Sequence, residues 1–118
     1  MSDLQSVIRE IVAFRDARDW RQFHTPRNLA AAVAIEAAEL QEVMLWKTDR
    51  EVDELLEGEK HERLREELAD VLIFALLLAH ETGVDPADAI RRKLEENERK
   101  YPADRSRGRA DKYTELNG

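Results

Sequence analysis

The sequence predicts an all-α protein, a bundle of four helices that is completed by further copies of the same chain. Charged residues make up 38% of the 118 residues, hydrophobic residues 42% and aromatic residues only 6%, a balance that favours helices over an aromatic-rich β sandwich. The stretch VLIFALLLA is apolar on every side, although a surface helix of a small bundle needs only one apolar stripe. Four helices of one chain can hardly cover it, so we expect a homodimer or a homotetramer.

The first two helices are predicted from apolar spacing and from cap signals. A first amphipathic helix over residues 3–18 is indicated by apolar residues at helical spacing, namely Leu4, Val7, Ile8, Ile11 and Phe14. The polar loop RDWRQFHTPRN follows it. Thr25 is a suitable N-cap, and Pro26 suits the first helical position, where a missing N–H costs nothing. We therefore expect a second helix from there to about Lys47.

The following segments predict a connection and two more helices. TDREVDELLEGEKHE is polar and contains Gly58, so we expect a connection with at most a helical turn or two. A third helix is expected over residues 60–82, because Gly83 can stop it in a left-handed conformation. Asp85 as N-cap and Pro86 at the first position predict a fourth helix. It should end at KYP, since proline disfavours helix at the preceding residue.

The chain divides into one domain and a tail in this interpretation. Residues 1–102 contain the four helices and form the domain. Residues 103–118 have little apolar content and no helical period, so their composition predicts a flexible tail.

Several classes of function are disfavoured by composition. The net charge of −7 would repel a nucleic-acid duplex. The absence of cysteine excludes disulfides, thiolate metal sites and cysteine nucleophiles. No signal peptide is evident at the start, and the longest apolar run is nine residues, far below the roughly 20 needed to span a bilayer. We therefore expect a cytoplasmic protein without a membrane partner.

Two pairs of acidic residues interrupt the apolar faces of the second and third helices. Glu36 falls in the middle of the apolar stripe of the second helix, with Glu39 on its flank. Glu67 and Asp70 fall among apolar residues of the third helix in the same way. A spacing of three residues puts both members of a pair on one face, one turn apart. Each helix is thus expected to present two carboxylates to the interior.

Four ionised carboxylates in an interior need a compensating cation, because each unpaired ion would cost several kcal/mol. The inner helix faces offer no Lys or Arg near the four acids, no cysteine and no nearby histidine. An all-oxygen set points to Mg²⁺ first and Mn²⁺ second. A ferritin-like di-iron site would need Glu-x-x-His on two helices, which the acid pairs lack. The alternative is that these are ordinary surface acids on wrongly assigned faces.

The acid motifs and the surrounding stretches resemble a known family. E-x-x-E followed by E-x-x-D resembles the signature of the MazG-like all-α nucleoside triphosphate pyrophosphohydrolases, and the dCTP pyrophosphatase branch resembles this chain most. The similarity runs from about residue 18 to residue 116 and is carried by RDWRQFHTPRNLA, EAAELQEVMLWK, EELADVLIF, KLEEN, KYP and KYTEL.

The resemblance implies hydrolysis of dCTP, or of a related or modified deoxynucleotide, to the monophosphate and pyrophosphate, which would clean the nucleotide pool. The catalytic and metal-binding residues are then Glu36, Glu39, Glu67 and Asp70. Mg²⁺ at these acids would bridge phosphate oxygens and lower the pKa of the attacking water. The number of ions stays open, and so does the general base: the metal alone, one of the four acids or Glu42 fits equally well.

Substrate contacts are expected from residues spread over the chain. Lys93 and Asn97 match family positions that contact substrate, and Lys100 shares their helix face. Trp20 and Trp46 are the expected base-stacking residues. The other expected contacts are His24, Phe74 and, in the tail, Lys112 and Tyr113. The resemblance implies that the tail folds back over a site, of its own or of a neighbouring subunit.

Two positions depart from the dCTP branch. Phe74 stands where that branch has a tyrosine, and Ile11 stands where it has a histidine. Both changes make the pocket less polar, so we expect weaker selectivity for cytosine. The rival hypothesis from another class is a non-catalytic helical oligomerisation or interaction module whose acids are solvated.

Overall fold

A computed structural model describes residues 3–59, 61–112 and 114, and all regular elements in these residues are helical. The α-helices are α1 (Leu4–Asp16), α2 (Pro26–Met44), α3 (Asp49–Glu57), α4 (His61–Thr82), α5 (Pro86–Lys100) and α6 (Ala103–Ser106), with a 3₁₀ turn at Arg21–Phe23. The predicted all-α class is confirmed. Within this part of the chain, none of the helices combines the length and apolar character needed to cross a membrane.

The predicted helix boundaries with local chemical signals are confirmed. The Thr25 side chain accepts a hydrogen bond from the backbone N–H of Asn28, with Pro26 beginning α2. The Asp85 side chain caps α5 in the same way at the backbone N–H of Asp88, 3.1 Å away. Gly83 follows the end of α4 with a φ of 73°, a left-handed conformation that is strained for residues with a side chain.

The prediction of a connection with at most a helical turn or two after the second helix is wrong in extent, because α3 occupies nine residues, about two and a half turns. The Thr48 side chain accepts a hydrogen bond from the backbone N–H of Glu51, and the Glu51 carboxylate accepts one from the backbone N–H of Thr48. This reciprocal capping box satisfies donors that a helix start otherwise leaves open. The described residues therefore contain α3 in addition to the four predicted helices, and the short α6 lies in the predicted tail.

The second helix is shorter than expected and ends at Met44 rather than near Lys47. Leu45 leaves the helix in an extended conformation with a ψ of 137°. Trp46 follows with a φ of 65°, which is rare for a bulky residue and marks local strain. The chain thus turns sharply between α2 and α3.

The described residues up to Val84 form one compact unit, and those from Asp85 onward form another. In the first unit α2 packs along α4, while α1 and α3 also contact α4. Its buried apolar core is small and consists of Ile8, Leu29, Val43, Leu55 and Leu77. Leu68 and Leu72 of α4 stay 45% and 53% exposed, so part of the all-round apolar surface of this helix is uncovered in a single chain.

The second unit contains α5 and α6. The predicted flexible tail includes one helical turn, α6, followed by Gly108 with a φ of 73°. Arg109 and Asp111 form an ion pair after it. The predicted division of the chain at residue 102 stays a prediction.

Candidate active site

Three of the four predicted acids come together where α2 packs on α4. Glu36 of α2 and Glu67 and Asp70 of α4 each offer a carboxylate oxygen, and these oxygens lie within 4.8 Å of one another. All three side chains are half-buried. Glu39 is exposed, yet it lies near enough to act electrostatically on both Glu36 and Glu67.

Burial and mutual repulsion raise the pKa of two of these carboxyls. Burial, a carboxyl hydrogen bond with Glu39 and the charges of Glu39, Asp70 and Glu67 raise the pKa of Glu36 to about 7. The pKa of Glu67 is also raised, first by burial and then by the charges of Glu39 and Asp70. Both groups therefore resist carrying their charge in the absence of a cation.

One exposed arginine of α4, Arg63, acts electrostatically on the acid cluster. We expected no Lys or Arg near the four acids on the inner helix faces, and Arg63 is exposed, yet its charge opposes the rise in the pKa of Glu67. Arg63 lies one turn before Glu67 on α4, so their side chains are neighbours at i and i+4. A single exposed arginine offsets the excess of negative charge only in part.

The orphaned oxygens of the cluster fit a hard cation. Oε2 of Glu36 and Oε2 of Glu67 are buried without a hydrogen-bond partner among the described residues. Buried polar atoms in native proteins are almost always paired, so such atoms call for a ligand or an ion. The available donors are all carboxylate oxygens, which Mg²⁺, Mn²⁺ and Ca²⁺ prefer. The described acids can therefore hold a divalent metal ion.

A cavity of about 290 Å³ adjoins the acid cluster, because Asp70 belongs to both. Its wall is mainly apolar and aromatic, and the lining residues are Ile11, Phe14, Arg15, Trp20, His24, Asp70, Ile73, Phe74 and Leu77. The two positions that depart from the dCTP branch, Ile11 and Phe74, both line this cavity. The cavity thus lacks the two polar side chains that the branch would supply there.

Aromatic rings follow one another along the cavity wall. Phe14 and Trp20 meet edge to face with centroids 5.9 Å apart, Trp20 and His24 are 6.4 Å apart, and His24 and Phe74 are 6.2 Å apart. Edge-to-face packing is a favoured geometry for such rings. The predicted contacts Trp20, His24 and Phe74 are thus brought together, next to Asp70.

Backbone hydrogen bonds fix the loop that carries Trp20 and His24. The Trp20 N–H donates to the carbonyl oxygen of Arg15 at 3.3 Å, and the His24 N–H donates to that of Arg21 at 3.0 Å. The Asn28 side chain donates to the carbonyl oxygen of Phe23 at 3.1 Å. The loop is therefore tied to both flanking helices.

The environment of His24 keeps its ring neutral. Burial and the nearby charge of Arg15 lower the pKa of His24, and the charge of Glu81 opposes this only in part. Its Nδ1 atom is buried without a hydrogen-bond partner among the described residues. His24 therefore offers an unused polar atom in a wall that is mainly apolar.

Sequence reasoning missed Arg15 and Glu81. Arg15 is buried and pairs with Asp16 and Glu81. Although burial would lower the pKa of Arg15, hydrogen bonds to the two carboxylates outweigh this and raise it. The sequence does contain an indication of this buried arginine: Arg15 lies at helical spacing from Ile8 and Ile11 and therefore on the apolar face of α1.

The structure does not bring Trp46 to this cavity. Its side chain is 92% exposed, and it is absent from the cavity wall. Its expected role in base stacking stays a prediction.

In the second unit, the predicted phosphate contacts of α5 are engaged with an acid. Nζ of Lys93 lies 3.4 Å from Glu96 Oε2, and Nζ of Lys100 lies 2.9 Å from Glu96 Oε1. These contacts hold the pKa of Glu96 below its usual range. Asn97 is half-buried, and its backbone carbonyl oxygen accepts a hydrogen bond from the backbone N–H of Tyr101 at 2.7 Å. Their contacts with substrate stay predictions.

Two expected contacts belong to the tail. Lys112 is exposed. Tyr113 lies outside the described residues, so its role also stays a prediction.

Comparison with known proteins identifies the family. Residues 31–116 match the model of the MazG-like family. The chain belongs to the MazG-like family. The predicted resemblance is thus confirmed, and the matched region of this MazG-like chain contains both acid pairs.

Two curated relatives and one solved structure show how far the similarity of this MazG-like chain extends. A Homo sapiens protein named dCTP pyrophosphatase 1 is 42% identical over 114 residues, which are 96% of this chain and 67% of that protein. Its Bos taurus counterpart is 41% identical over 114 residues, or 96% and 68%. The crystal structure of a pyrophosphatase from Archaeoglobus fulgidus has a TM-score of 0.78 and 43% identity, and the match covers 86% of this chain and 94% of that one.

Proposed function

We propose that this chain is a metal-dependent nucleoside triphosphate pyrophosphohydrolase that acts on dCTP or on a related or modified deoxynucleotide. The observation that carries the proposal is the shared position of Asp70, which belongs both to a carboxylate cluster and to an aromatic cavity. A nucleotide needs both features, a metal site for its phosphates and a slot for its base. The names of the relatives, dCTP pyrophosphatase 1 and pyrophosphatase, support the same reaction.

In this proposal Glu36, Glu67 and Asp70 hold the metal ion, and Glu39 completes the set. Mg²⁺ is the first candidate and Mn²⁺ the second. When bound, such an ion neutralises phosphate charge and makes water easier to deprotonate. The acids would position the triphosphate next to the cavity only through such an ion, because their own charges repel phosphate. A general base among the acids, including Glu42, stays unassigned.

The cavity is the proposed site for the base. Trp20, Phe74 and the neutral ring of His24 provide faces and edges against which a planar heterocycle can stack. The substrate would thereby be held with its triphosphate toward Asp70. Lys93, Asn97 and Lys100 are proposed to contact phosphate or sugar, which would require the lysines to exchange Glu96 for substrate oxygens.

A homodimer or homotetramer is part of the proposal. The small buried core and the half-exposed Leu68 and Leu72 of α4 support it. Trp46 supports it as well, because an almost fully exposed tryptophan held at positive φ is costly without a ligand or a partner to cover it. Lys112 and Tyr113 are proposed to reach a site from the tail. The expected cytoplasmic location stays a prediction.

The decisive experiment is a panel of the common ribonucleoside and deoxynucleoside triphosphates with Mg²⁺ or Mn²⁺ and product analysis. Release of monophosphate and pyrophosphate in equal amounts is expected, with EDTA abolishing it. Glu66→Gln removes an exposed acid of α4 outside the cluster and should leave activity unchanged. It is the matched control for any substitution of a cluster acid. No pyrophosphate from any nucleotide, with folded protein, would favour the rival hypothesis of a non-catalytic interaction module.

A further inference from the structure

A buried arginine forms part of the cavity wall. Arg15 is only 2% exposed, yet it lines the cavity with Trp20, His24 and Phe74. Among the described residues it is the only Lys or Arg in this wall. The proposed phosphate chemistry does not use it.

Carboxylates hold the Arg15 guanidinium without exhausting its donors. Nε donates to Oδ1 of Asp16 at 3.0 Å, and Nη1 donates to Oε1 of Glu81. Nε of Arg21 lies 3.8 Å from the same Glu81 oxygen. A guanidinium has five N–H donors, and no described residue accepts a hydrogen bond from Nη2. Arg15 is thus fixed in place and retains N–H groups for a ligand.

Stability alone is a poor explanation for this arrangement. A buried ion pair usually contributes no more than apolar residues of similar volume would, because desolvation offsets the attraction. Binding of a ligand by the Arg15 guanidinium would explain the buried ion pair. A guanidinium donates hydrogen bonds and accepts none, so it suits carbonyl oxygens and unprotonated ring nitrogens. The apolar surroundings strengthen such a bond.

We propose that Arg15 fixes a carbonyl oxygen of a single-ring base, so that the pocket accepts pyrimidine nucleotides as a class rather than cytosine alone. The inference rests on the proposed function. A volume of about 290 Å³ lies at the lower limit for ligand pockets, roughly 300 to 1,000 Å³, and suits one ring better than two. Cytosine, uracil and thymine all carry a 2-carbonyl oxygen. Ile11 and Phe74 offer no polar group to distinguish the positions at which these bases differ.

Two variants test the role of Arg15. Arg15→Met combined with Glu81→Gln removes the cation without leaving its main partner charged, and Arg15→Lys keeps the charge but not the planar fork. Steady-state kinetics are measured with dCTP, dUTP, dTTP, dATP and 2-deoxyribose 5-triphosphate, which has no base. Circular dichroism establishes that each variant is folded.

The wild-type protein should hydrolyse the three pyrimidine nucleotides with kcat/KM values within about tenfold of one another, because the contact with Arg15 is common to all three bases and a neutral His24 ring can either donate or accept a hydrogen bond at Nδ1. The double variant should raise KM for all three by about 10- to 100-fold, the usual effect of losing a charged hydrogen bond. Arg15→Lys should lie between the two. KM for the base-free triphosphate should change little in either variant.

Two results would overturn the inference: an equal rise of KM for the base-free triphosphate, or unchanged KM for pyrimidine nucleotides in a folded double variant. A wild-type preference for dCTP over dUTP and dTTP beyond about 100-fold would refute the class as a whole. If the wild-type protein released no pyrophosphate at all, the proposed function would fail instead. Calorimetric titration with dCMP, which needs no turnover, would then still decide whether the double variant has lost base binding.

Discussion

Replacing Glu36 by glutamine should stabilise the metal-free protein at pH 8. The pKa of Glu36 rises from 4.5 to about 7 on folding, so the folded protein binds this proton more tightly than the unfolded chain. The stability of the wild-type protein therefore falls as the pH increases from about 4.5 to about 7 and is constant above that range. Glutamine has nearly the same shape and no charge, so the variant escapes this loss.

The magnitude follows from the two pKa values. A difference of about 2.5, at about 1.4 kcal/mol per pKa unit, sets an upper limit of about 3 kcal/mol at pH 8, and screening by solvent at this half-buried carboxyl reduces the expected gain to about 2 kcal/mol. At pH 5 the gain should fall below about 1 kcal/mol, because the folded wild-type protein is then already protonated at Glu36. Excess Mg²⁺ should reverse the order: at 1,000 times its dissociation constant a ligand adds about 4.1 kcal/mol to the wild-type protein, which is more than the variant gains, and the variant lacks one of the carboxylates that hold the ion.

Urea unfolding followed by circular dichroism checks this prediction, at fixed protein concentration, at pH 5 and pH 8, with EDTA or with Mg²⁺. Glu66→Gln removes the same charge from an exposed position of α4 and controls for the change in net charge. The reasoning is refuted if Glu36→Gln destabilises the metal-free protein at pH 8. It is equally refuted if the gain is the same at pH 5, or if Glu66→Gln reproduces it.

Three further predictions follow from the site and from the exposed faces. Glu39→Ala and Asp70→Ala should each abolish pyrophosphate release while the thermal midpoint in EDTA stays unchanged or rises, since a repelling charge is removed. Trp20→Ala should raise KM for dCTP by about 10- to 100-fold through loss of base stacking, with a smaller effect on kcat in the same assay. Leu72→Glu should convert an oligomer to a smaller species, as measured by light scattering after gel filtration, because it puts a charge into the uncovered apolar face of α4.

Each of these predictions has a contrary result. A large loss of metal-free stability in Asp70→Ala would make that carboxylate structural. An unchanged KM for dCTP in folded Trp20→Ala would show that the base does not bind in the cavity. An unchanged molecular mass for Leu72→Glu would place any interface elsewhere, and Glu10→Gln on the exposed side of α1 is the control that should leave the mass unaltered.

Features set by neighbouring residues could be predicted from the sequence. The starts of α2 and α5 follow from Thr25 and Asp85, each followed by proline, because a cap depends only on the first helical turn. The same reasoning could have found α3, whose capping box is visible as Thr48 and Glu51. The polar composition of that segment and Gly58 concealed it.

Features set by packing between helices could not be predicted. Periodicity placed both acid pairs on inner faces, but only the crossing of α2 and α4 decides that Glu36 is half-buried and Glu39 exposed. Trp20 and Trp46 both lie near helix ends, and only the tertiary structure places the first in the cavity wall and leaves the second exposed. The pairing of Arg15 with Glu81 joins residues 66 positions apart, which no local pattern reveals.

Asp70 belongs both to the carboxylate cluster and to the cavity wall. In the proposed enzyme the metal ion and the base therefore should not bind independently of each other. The Asp70 carboxylate borders the space of each, so filling the cavity alters the field and the freedom of a metal ligand. Linkage requires the effect to be mutual: if a base improves the affinity for the ion by some factor, the ion improves the affinity for that base by the same factor. A poorly fitting base would then be rejected twice, once by the aromatic wall and once through weaker retention of the ion.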